Sequence, residues 1–161
     1  MAAGNTYTPI ATQSLSGSSE VTFSSIPAIY TDLRIVTAGA VNVGLHNWQL
    51  QFNGDTGANY SSTFIATTGG SGRIANATFI TLDRYGYFST SQTNILFDMM
   101  SYANVSANKT LLSRSNNAAE GSGFVTGLWR NTAAVTSIRL YLSGSTFASG
   151  STASLYGISA A

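Results

Sequence analysis

The sequence predicts an all-β fold, an antiparallel jelly-roll-like sandwich in a single domain, on three observations. Apolar and polar residues alternate with period two in segments along the whole chain, Gly- and Asn-rich turn signals join those segments, and no helical period of useful length occurs. Many short strands at nearly regular spacing argue for a sandwich, jelly roll or barrel rather than any alternating α/β fold. A chain of 161 residues fits one domain and is long enough to bury a real core without staples.

The expected elements follow in order. Residues 1–8 are polar and weakly patterned at the start, and read as an N-terminal arm that orders on binding; the sandwich then occupies 9–161. Strands are expected at 7–15, 20–25 and 32–38. In the next, Trp48, Leu50 and Phe52 share one face while Asn47, Gln49, Gln51 and Asn53 share the other, as a half-buried strand requires. Further strands are expected at 60–67, 78–83, 94–102, 109–115 and 124–130. Ile138, Leu140 and Leu142 then face away from Ser137, Arg139 and Tyr141, and a last strand is expected at 151–158. The turn signals are Asn53-Gly54-Asp55-Thr56-Gly57, Gly69-Gly70-Ser71-Gly72, Asn116-Asn117, Gly121-Ser122-Gly123 and Ser143-Gly144-Ser145, where Gly or Asn takes positive φ at little cost. The segment 117–120 is a single turn.

Segment 94–102 departs from clean alternation. Ile95, Phe97 and Met99 point one way, and Leu96, Met100 and Tyr102 the other, so apart from Asp98 both faces are apolar. Such a strand lies either in the middle of the sandwich or with one face against a neighbouring subunit.

Charged residues make up only 8% of the chain, against about 25% in an ordinary soluble domain. A surface of hydroxyls and amides can be desolvated against other protein without stranding charges. The net charge of +1 comes from singly scattered residues, which leaves no basic stripe for nucleic acid. Cysteine is absent, which rules out disulfides and thiolate chemistry. The first residues carry neither the basic nor the apolar region of a signal peptide, and no apolar run approaches the roughly 20 residues of a membrane helix.

Chemistry is scarce. His46 is the only histidine and reads as a loop-edge residue, and a single imidazole excludes a histidine metal cluster. Of the carboxylates, Asp32, Asp55 and Glu120 fall at turns or strand starts, where they cap backbone N–H groups; Asp83 and Asp98 suit cross-strand ion pairs with Arg84, Arg114 or Arg139. Paired catalytic carboxylates are not expected. Residues 53–59 offer Asn53, Asp55, Thr56 and Asn59 as oxygen donors, which raises calcium, but a tight hairpin connection explains the same residues. The Gly69–Gly72 stretch lacks the residues of a phosphate loop and reads as a flexible loop.

The runs Val21-Thr22-Phe23-Ser24-Ser25-Ile26-Pro27 and Tyr30-Thr31-Asp32-Leu33-Arg34-Ile35 resemble the opening of small β-rich virion proteins of tailed bacteriophages. So do the stretch from Leu50 through Gly54-Asp55-Thr56-Gly57 to Tyr60, the stretch from Gly127-Leu128-Trp129-Arg130 to Ile138, and the ending from Phe147 to Ile158. The resemblance implies a virion location, with assembly in the host cytoplasm, and no catalytic residues; no metal or cofactor is expected from the residues themselves. It covers both capsid decoration proteins and modules of tail fibres or tips. A free-standing domain favours decoration: a homotrimer that cements the major capsid protein, without nucleic acid or membrane as partner. Leu96, Met100 and Tyr102 are then the expected subunit contact. The alternative is a tail-associated module that recognises host polysaccharide through Tyr85, Tyr87 and Trp129.

Overall fold

A computed structural model describes residues 6–67, 69–82 and 88–159. The described residues form twelve strands and no helix: β1 (Tyr7–Ser14), β2 (Glu20–Phe23), β3 (Asp32–Gly39), β4 (Trp48–Phe52), β5 (Tyr60–Ala66), β6 (Ser71–Ala77), β7 (Ile80–Thr81), β8 (Thr93–Met100), β9 (Lys109–Asn117), β10 (Gly121–Trp129), β11 (Ile138–Leu142) and β12 (Thr152–Ile158). They make two antiparallel sheets in a sandwich-like arrangement. The larger runs β1-β12-β3-β8-β9-β10-β5-β6 and the smaller β2-β11-β4-β7. The all-β expectation holds.

The alternation read from the sequence is the burial pattern of the sheets. Leu33 and Ile35 of β3, Ile95, Phe97 and Met99 of β8, and Leu155 of β12 line the inner face of the large sheet. Trp48, Leu50 and Phe52 of β4 and Ile138, Leu140 and Leu142 of β11 face them from the small one, in one buried cluster. Within it Trp48 stacks on Phe88, ring centroids 5.3 Å apart, and meets the edge of Phe147 at 5.1 Å. Such offset and edge contacts add about 1 kcal/mol each beyond area burial.

Several expectations are corrected. The arm expected over 1–8 ends earlier, because Tyr7 and Thr8 pair with Ile158 and Gly157 as part of β1; residues 1–5 lie outside the described residues. The Gly69–Gly72 stretch is not simply a loop: it contains the β5–β6 turn and the first residues of β6. That strand was missed because it overhangs the sheet edge with both faces largely exposed, so it shows no inside–outside alternation. Gly121-Ser122-Gly123 is strand as well, since the β9–β10 ladder runs from Trp129↔Lys109 out to Gly121↔Asn117. The strand expected at 78–83 shrinks to Ile80–Thr81, and Asp83 lies outside the described residues.

Residues 53–59 are not a hairpin. Asn53 (φ 50°) and Gly54 (φ 68°) do form a turn with both central residues left-handed, closed by the Asp55 N–H donating to Phe52 O at 2.8 Å. The chain then crosses to the other sheet, because the Tyr60 hydroxyl reaches back to the Phe52 and Asp55 carbonyls. Asn53 itself clamps a distant loop: its Oδ1 accepts from the N–H groups of Thr136 and Ser137, and its Nδ2 donates to Ala134 O.

Buried and half-buried tyrosines are expected to make the fold sensitive to alkali. Burial, the largest influence, pushes the Tyr60 phenol up to about 12 from an ordinary 10.0, and burial raises Tyr102 and Tyr141 as well. A phenol whose folded pKa is raised contributes stability that is fully present below pH 10 and lost as pH climbs towards 12. Lys109, lowered by burial, acts in the opposite sense only up to its ordinary 10.5. Stability should therefore fall mainly above pH 10.5. Urea midpoints across that range, with phenolate absorbance followed in parallel, should show the most resistant tyrosines ionising together with unfolding.

Candidate interaction face

The two outer faces differ in chemistry. On the small sheet Arg139 pairs with Glu20, lies 4.4 Å over the Tyr141 ring and donates to Gln51 Oε1, which makes a polar, internally satisfied surface. On the large sheet the outer side chains form cross-strand rows. One row reads Val36, Leu96, Arg114, Phe124, Ile65, and the next Arg34, Asp98, Leu112, Thr126, Thr63, Arg73. Ile65 (60% exposed), Met100 (57%), Phe124 (50%) and Leu112 (42%) stand out from four neighbouring strands. A shallow groove of about 260 Å³ lies among Met100, Leu112, Thr110 and Thr126, and another of about 170 Å³ beside Ile65 and Phe124.

The ion pairs on this face centre on Asp98, and Arg73 stands apart from them among the described residues. Arg34 grips Asp98 with two hydrogen bonds, Nε to Oδ1 at 2.5 Å and Nη2 to Oδ2 at 2.9 Å, while Arg114 stands 3.8 Å from Oδ2. Arg34 also donates to the Tyr7 hydroxyl at 2.8 Å and lies over its ring. The Asp98 hydrogen bond outweighs desolvation and raises the guanidinium pKa further, so this arginine stays charged. The sequence assigned Asp98 to Arg84, Arg114 or Arg139; its main partner is Arg34, directly opposite on β3.

The expected contact residues divide. Leu96 and Met100 do lie on this face, half-buried and exposed respectively. Tyr102 does not: Ser101 takes a left-handed conformation (φ 51°), ends β8 and turns the next side chain inward. Tyr102 is fully buried, with its hydroxyl donating to Pro27 O and accepting from the Tyr30 N–H. The outer row missed Ile65, Leu112 and Phe124. A signal for them was present, because Phe64-Ile65, Met99-Met100, Leu111-Leu112 and Phe124-Val125 are adjacent apolar pairs, and on a strand one member of each pair must face outward.

Trp129 is likewise inside. It packs between Phe52 and Tyr60 at centroid distances of 5.4 and 6.3 Å, and its Nε1–H donates to Asp55 Oδ2 at 2.6 Å, so the ring offers no face to a sugar. Its register opposite Lys109 puts it on the inner side of β10. Tyr85 and Tyr87 lie outside the described residues.

Asp55, His46 and Asp32 make contacts within the fold. Both Asp55 oxygens accept N–H groups, from Trp129, from Asn59 Nδ2 and from the Gly57 backbone. Burial tends to raise this carboxyl, but those hydrogen bonds together prevail and hold it below its ordinary value. A carboxylate ringed by N–H donors is a poor cation ligand, and no cluster of three metal-binding side chains occurs among the described residues. The ring nitrogens of His46 lie 2.7 Å from Ser143 O and 3.0 Å from Val43 O, so the imidazole ties two loops together. Asp32 caps the Ser101 N–H at 2.8 Å.

These features define an all-β, antiparallel protein whose large sheet presents a broad outer face with exposed apolar side chains. No family model, curated protein or solved structure matched the chain in comparisons with known proteins.

Proposed function

We propose that the chain is a structural protein of a phage virion, most simply a capsid decoration protein that works by surface contact. The observation that carries this reading is the outer face of the large sheet. Eight strands at about 4.8 Å spacing and about 23 Å length present roughly 900 Å², enough for one side of a standard interface of about 800 Å² per partner. Four exposed apolar side chains sit on it among hydroxyls, with its central ion pairs satisfied internally, so docking strands few charges. Within this reading the chain is one jelly-roll-like domain, supported by the buried cluster that spans both sheets. It assembles as a homotrimer and clamps the major capsid protein, gaining strength through many weak contacts. No catalytic role is assigned. Of the described acids, Glu20, Asp32, Asp55 and Asp98 are engaged in ion pairs or backbone and side-chain hydrogen bonds, and Glu120 stands in the β9–β10 turn. The tail alternative loses Trp129, one of its three aromatics, to the core.

Copy number per particle, by quantitative mass spectrometry of virions against the major capsid protein, tests the location: on the order of hundreds is expected, and roughly a dozen or fewer would place the chain at the tail. Met100→Asp puts a charge on the exposed face at little cost to the fold. It is expected to weaken trimer or capsid binding by at least about tenfold, read by light scattering and particle co-sedimentation. Unchanged assembly would remove this face from the contact.

A further inference from the structure

The four sheet edges are not treated alike. Along β1 the edge is blunted by Pro9, which has no N–H to offer, and by a bulge between Pro9 and Ala11. At β2, Gln13 Nε2 covers the edge by donating to Thr22 O. The two-residue β7 is closed off where the Thr81 N–H donates to Ser62 Oγ. On β6, seven residues long, the irregularity lies past Ile74, where the register shifts and Asn76 takes φ 54°, so that among the described residues 71–74 form a regular edge with no such device.

Its free groups can be assigned. In the β5–β6 turn the Ala66 N–H donates to Gly70 O at 2.9 Å, so Gly70 faces β5. Antiparallel strands alternate, so the backbone groups of Gly72 and Ile74 also turn to β5, while those of Ser71 and Arg73 point away from it. The Arg73 side chain projects on the outer face beside Thr63, with no ion pair or hydrogen bond among the described residues. Ser71 is small and stands opposite Ile65, which itself lines the groove shared with Ser122 and Phe124.

We propose that the β6 edge docks an extended segment of a partner chain by antiparallel strand addition. The segment carries a carboxylate opposite Arg73 and, two residues further along, a large apolar side chain that leans across Ser71 onto Ile65. Backbone pairing at Ser71 and Arg73 supplies affinity, and the acid and apolar positions supply selectivity. A second copy of this chain fits less well, because two-fold pairing of β6 with itself sets the two Arg73 guanidiniums opposite or diagonal to one another, where like charges repel. The proposal stands whether or not the outer face is a capsid contact. It is tested on the isolated chain rather than on particles, so the two readings fail separately.

The probe is the acetylated and amidated peptide Thr-Val-Glu-Thr-Ile-Thr, beside the same peptide with Lys in place of Glu. Addition of the Glu peptide is expected to slow amide exchange selectively at Ser71 and Arg73, and the Lys peptide should bind roughly tenfold more weakly. Arg73→Glu, a change at an exposed residue, should reverse that preference. No protection at millimolar peptide, or equal binding of both peptides, would overturn the proposal. So would protection that grows with protein concentration in the absence of peptide, which would make a second copy the occupant.

Discussion

Lys109→Met is expected to destabilise the fold by about 3 kcal/mol, measured as a lowered urea midpoint with unchanged slope. Lys109 is 1% exposed at the first position of β9, yet it has no carboxylate partner among its hydrogen bonds. Its ammonium instead donates to three carbonyls: Asn104 O at 2.5 Å, Ala107 O at 2.7 Å and Thr132 O at 3.0 Å. Three donors thus meet three acceptors, and the loop between β8 and β9 is tied to the loop after β10. Methionine fills much of the same volume but leaves all three oxygens without that donor, and losing hydrogen bonds to a charged group costs about 1.5–3 kcal/mol. Relief from burying a charge offsets part of this sum, which is why the expected loss is nearer to the cost of one or two acceptors than of three. Thr110→Val, on the exposed side of the same strand, should change stability by less than about 0.5 kcal/mol. Were the two variants equally mild, the carbonyl cage would have no energetic weight.

Asp55→Ala is expected to cost about 3 kcal/mol, and Asp55→Asn about half as much. The carboxylate gathers the indole N–H of a buried tryptophan, the Asn59 amide and the Gly57 backbone N–H. Alanine leaves the Trp129 donor inside the protein with no acceptor, whereas asparagine keeps one accepting oxygen and turns an NH2 towards the rest. Because the hydrogen bonds hold the folded carboxyl below its ordinary 3.8, this contribution is present above that pH and is lost as pH falls through the depressed folded value. The wild-type chain should therefore lose stability in acid more steeply than Asp55→Asn does. The indole N–H resonance of Trp129 should shift upfield in both variants, which separates loss of this bond from a general loosening of the loop.

The two predictions concern one end of the sandwich, where Lys109 and Trp129 are cross-strand neighbours. Neither residue could have been assigned its role from local pattern. Lys109 shares parity with Leu111 and Ser113, the inward positions of β9, and so its inward direction was legible in outline. What was not legible is that two loops distant in sequence bring carbonyls to its tip, since that depends on where 104–107 and 132 come to rest. For Trp129 the ambiguity is chemical. An amphipathic aromatic on a strand serves a sugar or a core equally well, and only a carboxylate arriving from the Asn53-Gly54 crossover settles it.

Alternation by itself determined the all-β class and the inner faces of β4 and β11, because a strand with one buried side must write that side into every second residue. The tertiary structure alone decided which strands share a sheet, that residues 53–59 cross between sheets instead of forming a hairpin, and that β6 exists as an overhanging edge. It also decided that Met100 faces outward while Tyr102 is buried, through a left-handed Ser101 between them. The physical reason is range. Side-chain alternation is imposed locally by the pleat, whereas strand pairing, crossover and edge depend on contacts between residues far apart in the chain, which no short window of sequence contains.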